Sequence, residues 1–261
     1  MRSPTRFDCV IVGGGPAGST LAWLLAESEF RVLLVDAGSR PGGAPRETLL
    51  AAAGGAIERA GLSQLLPAMV DTCRHGAIWG SDQLLWREPS AGGLLLQRGT
   101  FDAELRASAQ RRGVEIRTQS RVSGPLPASG AGELEILTED GQIERVTTDR
   151  IVLATGKRTP RDLITLQEVA RGPETAALCL GAECPEAAHL AIVEAVASGW
   201  WWWIGDGDRG GTATLLCDLG ELTATGTRGL VERARREAHV HQPRIRAHLQ
   251  KCTREWHSAQ T

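Results

Sequence analysis

The sequence predicts an α/β protein in which a parallel sheet comes first and a mainly antiparallel sheet follows. Three observations carry that prediction. Residues 7–36, FDCVIVGGGPAGSTLAWLLAESEFRVLLVD, hold a complete β-α-β pattern. An apolar run, Asp149–Thr155 (DRIVLAT), later returns to the same kind of strand and ends on Gly156. From Ala176 onward the pattern changes to paired β-type runs, the most distinctive being GWWWWI at Gly199–Ile204.

Within the first pattern, Cys9–Val12 is a short apolar run of the kind that forms a strand buried on both faces. It ends in Gly13-Gly14-Gly15-Pro16-Ala17-Gly18, which satisfies G-x-G-x-x-G at Gly13, Gly15 and Gly18. Gly13 permits the tight turn, Gly15 lets a pyrophosphate approach the backbone, and Gly18 lets the following helix lie close on the sheet. Ser19–Glu27 is helical, and its N-terminus presents free N–H groups and a positive dipole end to phosphates. Arg31–Val35 is a second strand, ending at Asp36, 18 residues beyond Gly18. A carboxylate there accepts hydrogen bonds from both hydroxyls of an adenosine ribose and repels a 2′-phosphate. The site therefore suits FAD or NAD rather than NADP, on a Rossmann-like domain.

The chain has 261 residues, 42% of them apolar, and a net charge of −2, which gives no drive toward nucleic acid or an anionic membrane surface. No apolar run approaches the roughly 18 residues of a membrane span, and residues 1–6 do not resemble a signal peptide, so a cytoplasmic protein is expected. The six cysteines form no CxxC pair; Cys179 and Cys184 lack a second ligand pair, so free thiols are expected rather than a metal site. Lys157 and Lys251 are the only lysines.

Taken in order, Ala37–Gly43 is a loop, and Arg46-Glu47-Thr48 leads into a helical stretch, Leu49–Ala60, containing Gly54-Gly55. Those glycines mark either close approach to a ligand or another element, or a frayed helix. Cys73–Trp86 and Leu94–Arg98 read as excursion strands, spanning about residues 73–97. Asp102–Arg112 is helical, with Thr100 or Asp102 as its cap, and Val114–Thr118 is a strand. Glu133–Thr138 and Gln142–Thr147 form a hairpin across Glu139-Asp140-Gly141. Ala176–Leu180 and Leu190–Val196 are strands, Gly199–Ile204 and Thr212–Cys217 a hairpin, and Gly229–Gln250 an Arg-rich amphipathic region with a solvated basic face.

These separated pieces together resemble FAD-dependent oxidoreductases of the p-hydroxybenzoate hydroxylase fold, and within them the tryptophan-halogenase-like group. The matching stretches are GGGPAGS at 13–19, VLLVD at 32–36, RETLL at 46–50, WGS at 79–81, RGTFD at 98–102, VLATG at 152–156 and GWWWWI at 199–204. The resemblance implies a GR2-type FAD-binding domain over residues 1–170 and a partial, mainly antiparallel substrate sheet over 171–261, the chain being truncated at its C-terminal side. It implies that Gly13, Gly15, Pro16, Ala17 and Gly18 hold the FAD pyrophosphate and Asp36 the ribose. Arg46, Arg98 and Ala154-Thr155-Gly156 would also contact the cofactor, and GWWWWI would belong to the substrate sheet.

Flavin halogenases carry W-x-W-x-I-P and a lysine ahead of their R-x-x-F-D element. Here Trp200, Trp202 and Ile204 fit, Gly205 replaces the proline, and residues 60–100 contain no lysine. A monooxygenase acting through reduced flavin and O₂ on an aromatic or indole-like substrate is therefore preferred to halogenation. The family's second FAD motif ends in Gly-Asp ahead of a helix; Asp206 is instead followed by a β-type run and reads as a turn residue. That departure supports a second reading, a non-catalytic or partner-dependent flavin-binding remnant. No separate NAD(P) domain is encoded, so NAD(P)H docks directly or a flavin reductase supplies electrons. The substrate is a small aromatic molecule or a residue of a partner protein. Alternation along the strand puts Trp200 and Trp202 on one face and Trp201 and Trp203 on the other, one pair to line an aromatic pocket and the other to pack in the core; alternation leaves open which, and Trp200 and Trp202 are the pocket candidates. No side chain stands out as an acid or base, His75 being the only histidine near the expected cavity.

Overall fold

A computed structural model describes residues 4–38, 46–63, 70–87, 93–156, 163, 174–182, 187–207, 211–238 and 256–259. In chain order the elements are β1 (Thr5–Phe7), β2 (Cys9–Val12), α1 (Pro16–Glu27), β3 (Val32–Val35), β4 (Arg46–Leu50), α2 (Ala51–Arg59), β5 (Val70–Ile78), β6 (Leu85–Trp86), β7 (Gly93–Gln97) and α3 (Arg98–Arg111). There follow β8 (Glu115–Arg117), β9 (Arg121–Ser123), β10 (Gly132–Leu137), β11 (Ile143–Thr148), β12 (Ile151–Leu153), β13 (Thr175–Ala182), β14 (Ala187–Val196), β15 (Gly199–Gly207), β16 (Gly211–Asp218), α4 (Leu219–Thr225), α5 (Thr227–Glu237) and β17 (Trp256–Ala259). They fall into two compact units, Met1–Gly43 with Gly99–Val169, and Ala44–Arg98 with Ala170–Thr261. Residues 44–98 thus group with the second half of the chain, an interleaving that a linear division at residue 170 does not contain.

The first unit is built on the parallel sheet β12-β2-β3-β8. Every residue of β2 (CVIV) and β3 (VLLV) is buried, as strands covered on both faces must be. Helix α1 turns Gly18, Ser19, Ala22 and Trp23 inward. The second sheet, β1-β11-β10-β9, supplies Phe7, Val122, Leu134, Ile136 and Val146 to a core shared with Val10, Val12, Leu33 and Val35.

Arg117 on β8 ties the two sheets of this unit together. Its Nε and Nη2 donate to the two carboxylate oxygens of Glu144 on β11, each at 3.0 Å. Those hydrogen bonds hold the Glu144 carboxyl below its ordinary value of 4.5, against the opposing effect of burial. A carboxylate lowered on folding stabilises the protein above its unfolded-state pKa and ceases to do so as pH falls through the folded value. Glu144→Gln is therefore expected to cost about 1 kcal/mol at neutral pH, the pair being bidentate but partly solvated. Denaturant unfolding should show that difference vanish by about pH 2, where both forms are uncharged.

The second unit is a nine-stranded sheet ordered β17-β13-β16-β15-β14-β5-β7-β4, with β6 on β5. Its pairings are antiparallel except β14 with β5. Leu230, Val231 and Ala234 form the buried stripe of α5 and pack on Ile192, Trp201, Trp203 and Leu215. Asp218 caps α4, accepting from the N–H groups of Gly220 (2.7 Å) and Glu221 (3.2 Å).

Four local expectations change. Residues 46–50 form a strand, so the helix they lead into begins at Ala51 rather than Leu49, because β7 offers them a complete antiparallel ladder from Arg46↔Gln97 to Leu50↔Gly93. Helix α3 begins at Arg98, directly after β7, so Thr100 and Asp102 lie inside its first turns and neither is its cap. A side chain at Gly55 would meet, among the described residues, only the Arg59 side chain, at 3.5 Å, so close approach of another described element does not explain that glycine. Asp206 lies on β15 itself rather than in a turn, while the strand expected after it is β16. Lys157, Lys251, Cys184, Cys252 and most of Gly229–Gln250 beyond α5 lie outside the described residues.

Candidate functional site

The glycine loop closes over the carboxyl end of the parallel sheet. Gly13 leaves β2 with φ +112°, and its N–H donates to the Val35 carbonyl at 2.8 Å. A Cβ there would strike the Ala154 backbone, so the Ala154-Thr155-Gly156 turn after β12 is packed against the loop. A Cβ at Gly18 would land on the carbonyl oxygen of Gly13 and lie 3.2 Å from the Ala154 methyl. Gly15 differs: nothing lies within 4 Å of the position its Cβ would take.

Helix α1 starts here without a side-chain cap. Gly15 is the N-cap, Pro16 opens the first turn, and that turn contains no acid. The first N–H groups of a helix have no intrahelical acceptor, and the dipole adds positive potential at the same point. Open space over Gly15, N–H groups at Ala17 and Gly18 that meet no side-chain cap among the described residues, and a first turn without an acid fit a pyrophosphate.

Asp36 follows β3 and is fixed through its backbone, its N–H donating to the Arg117 carbonyl (2.8 Å) and its carbonyl accepting from Ser120 (3.0 Å). Its Oδ1 accepts from the Gly38 N–H at 3.3 Å, and its Oδ2 lies 3.5 Å from Arg106 Nη1. A Cβ at Gly14 would fall 2.7 Å from Oδ2. Gly14, the variable position of the fingerprint, is therefore glycine because the acid rests on it. The Gly14 carbonyl accepts from Ser19 Oγ and from Arg106 Nη1, both at 3.0 Å. Gly14, Ser19 and Arg106 are the residues that motif reading passes over.

The remaining expected residues belong to the second unit. Arg46 opens β4 opposite Gln97. Arg98 Nη1 sits 2.9 and 2.8 Å from the two carboxylate oxygens of Glu47, which fixes the guanidinium at the start of α3. Trp201 and Trp203 are buried, stacked with centroids 5.2 Å apart, and Trp201 Nε1 donates to the Ala234 carbonyl at 3.2 Å. Trp200 and Trp202 occupy the opposite face. Trp202 packs against Cys73, Leu95, Ala191 and Ile204, with Thr214 beside it on β16.

His75 shares that face, paired with Ala191. Burial, and then the Arg87 charge, push its imidazole pKa down. Its Nε2 packs against Gly93 and has no hydrogen-bond partner among the described residues. Cys9, Cys73, Cys179 and Cys217 are free thiols, and burial raises the pKa of Cys9, Cys73 and Cys217. Among the described residues no three His, Cys, Asp or Glu side chains are grouped to hold a metal, and no helix is long and apolar enough to cross a membrane.

A strand ending in three glycines, an uncapped helix and an acid after the next strand define a dinucleotide-binding α/β protein. Comparison with known proteins specifies which kind. Residues 7–193 match the family model described as pyridine nucleotide-disulphide oxidoreductase, and the chain belongs to that family, with its FAD-binding Rossmann-like fold. It is 32% identical over 121 residues to a tryptophan 2-halogenase of Chondromyces crocatus, covering 44% of this chain and 23% of that protein. It is 24% identical over 157 residues to a digeranylgeranylglycerophospholipid reductase of Thermoplasma volcanium, covering 58% of this chain and 39% of the relative.

Among solved structures, the myxobacterial chondrochloren halogenase CndH superposes with a TM-score of 0.77 at 21% identity, over 99% of this chain and 62% of that one. The peptidyl tryptophan dihydroxylase QhpG gives 0.74 at 24% identity, over 97% and 56%. These structures share the fold. The chain spans less than two thirds of each of these relatives.

Proposed function

We propose that the chain is an FAD-dependent monooxygenase of this oxidoreductase family, acting on an aromatic or indole-like group. The observation that carries the reading is the first unit's site: an open Gly15, an uncapped α1 and Asp36 beside the loop. The N–H groups of Ala17 and Gly18 would bind the pyrophosphate, and the Asp36 carboxylate would accept from the adenosine ribose. Pro16 sets the helical φ of the first turn, and the Ala154-Thr155-Gly156 turn walls the loop on its far side. When bound and reduced, FAD supplies two electrons to O₂, one oxygen atom passing to the substrate and the other leaving as water. By the family resemblance alone, Arg46 and Arg98 are assigned as further cofactor contacts.

Trp200 and Trp202, on the sheet face away from the packed Trp201–Trp203 pair, would hold the substrate ring by offset or edge contacts. The substrate is a small aromatic compound or a tryptophan-like residue of a partner protein. Oxygenation is preferred to halogenation because residues 60–100 contain no lysine to direct a halogen oxidant. Electrons come from NAD(P)H docking directly or from a flavin reductase. The four free thiols among the described residues fit a reducing, cytoplasmic setting.

The test is turnover by the FAD-loaded chain with NAD(P)H, or with flavin reduced by a separate reductase, on indoles, phenols and tryptophan peptides with chloride and bromide present. The reading predicts products that gain oxygen, with label from ¹⁸O₂, and loss of product in Asp36→Ala. Halogenated products, or none from an FAD-loaded chain, would overturn it.

A further inference from the structure

We infer that Arg106 is a positioning residue of the dinucleotide site, locking the glycine loop and the ribose acid into one unit. The inference rests on the flavin reading of that site. Arg106 is 92 positions from Gly14 in sequence, yet its Nη1 donates to the Gly14 carbonyl at 3.0 Å and lies 3.5 Å from Asp36 Oδ2.

Helix α3 delivers it there. Phe101, Leu105 and Ala109, spaced by four, are buried and set the rotation of the helix. Arg106 follows Leu105 and is turned about 100° from it, at the edge of the buried stripe. Its guanidinium is mostly shielded, with 23% of the side chain exposed, and the Asp36 side chain is 17% exposed. One nitrogen, Nη1, makes both contacts, donating to the carbonyl and setting the guanidinium charge beside the carboxylate.

The contacts act on both halves of the site. The peptide bonds here are trans, so the Gly14 carbonyl and the Gly15 N–H point in opposite directions. With Arg106 and Ser19 holding that carbonyl, the Gly15 N–H is aimed the other way. The same guanidinium holds Asp36 Oδ2 in place and offsets the charge of a largely buried carboxylate. Arg106 needs no contact with the cofactor to do this.

The test uses the full chain and measures affinity for FAD, ADP and 2′-deoxy-ADP by titration calorimetry. If Asp36 grips the ribose hydroxyls and Arg106 aims it, the wild type prefers ADP over 2′-deoxy-ADP by about tenfold. In Arg106→Gln that preference should fall close to unity, and FAD affinity should drop by about tenfold. Arg106→Lys, which keeps the charge for Asp36, should recover most of the preference and serves as the folded comparison if Arg106→Gln does not fold.

An undiminished preference for ADP in Arg106→Gln overturns the inference. So does an equal loss of preference in Arg106→Lys and Arg106→Gln when both are folded, because charge at the acid would then not matter. A wild-type chain that binds neither FAD nor ADP overturns the flavin reading itself, a result distinct from normal binding that Arg106 variants leave unchanged.

Discussion

Alanine at Gly18 should abolish FAD binding and destabilise the first unit, whereas alanine at Gly15 should abolish binding and leave the fold intact. The two glycines lie three residues apart in one motif but face different surroundings. A methyl at Gly18 lands on the Gly13 carbonyl and presses on Ala154, so backbone must move and α1 must lift from the sheet. Overpacking of that kind costs about 1–3 kcal/mol and more when the obstacle is main chain. Gly15 has ordinary extended backbone (φ −73°, ψ −174°) and open space around its Cβ position. The methyl there would occupy only the volume that a pyrophosphate approaches. Thermal unfolding should place Gly15→Ala near the wild type and Gly18→Ala well below it. Both should weaken FAD by about 100-fold or more in a fluorescence titration. Equal stability losses in the two variants would mean that Gly15 is a structural glycine and that its opening is not a ligand approach.

Trp201→Ala should be the most damaging substitution in the second unit, costing about 3–5 kcal/mol, the range for emptying a buried tryptophan site. Trp201 is fully buried, stacks on Trp203, packs against α5 and donates to the Ala234 carbonyl. Trp201→Phe keeps much of the stack but leaves that carbonyl without its donor, at a cost of about 1 kcal/mol for the hydrogen bond alone. Trp203 makes the sharper comparison, since its Nε1 is buried with no hydrogen-bond partner among the described residues. Trp203→Phe removes an unpaired polar group and should cost less than Trp201→Phe. Trp202→Ala, on the other face and only partly buried, should cost roughly half of Trp201→Ala and act chiefly on substrate affinity. Denaturant unfolding of the four variants ranks them. A ranking with Trp202→Ala as the most damaging would reverse the two faces of the sheet.

The sequence made the cofactor loop readable because its information is local. Strand, glycines, helix, strand and acid follow one another within Phe7–Asp36, and each is dictated by its own spacing. The two-face division of the tryptophans is equally local. Which pair is core depends on α5 lying against the Trp201 side, a contact between elements some thirty residues apart, and alternation alone leaves it open. Leu49 and Leu50 read as the start of a helix because an alanine-rich run follows them; the ladder that makes them the end of a strand comes from β7, far along the chain. Thr100 and Asp102 looked like caps because such residues usually precede helices, but β7 passes into α3 without a loop. Arg106 carries no local mark at all. Its role depends on a helix packing that brings residue 106 to residues 14 and 36.

The most direct test of the account is the absorption spectrum of the purified chain, before and after incubation with FAD and removal of the excess, with the released flavin identified by chromatography. The account predicts a flavin spectrum near one equivalent, released as FAD rather than FMN, and absent in Gly15→Ala. A folded chain that stays colourless and takes up no FAD would contradict it, because the open loop, the uncapped helix and Asp36 would then form a dinucleotide fold without a dinucleotide site.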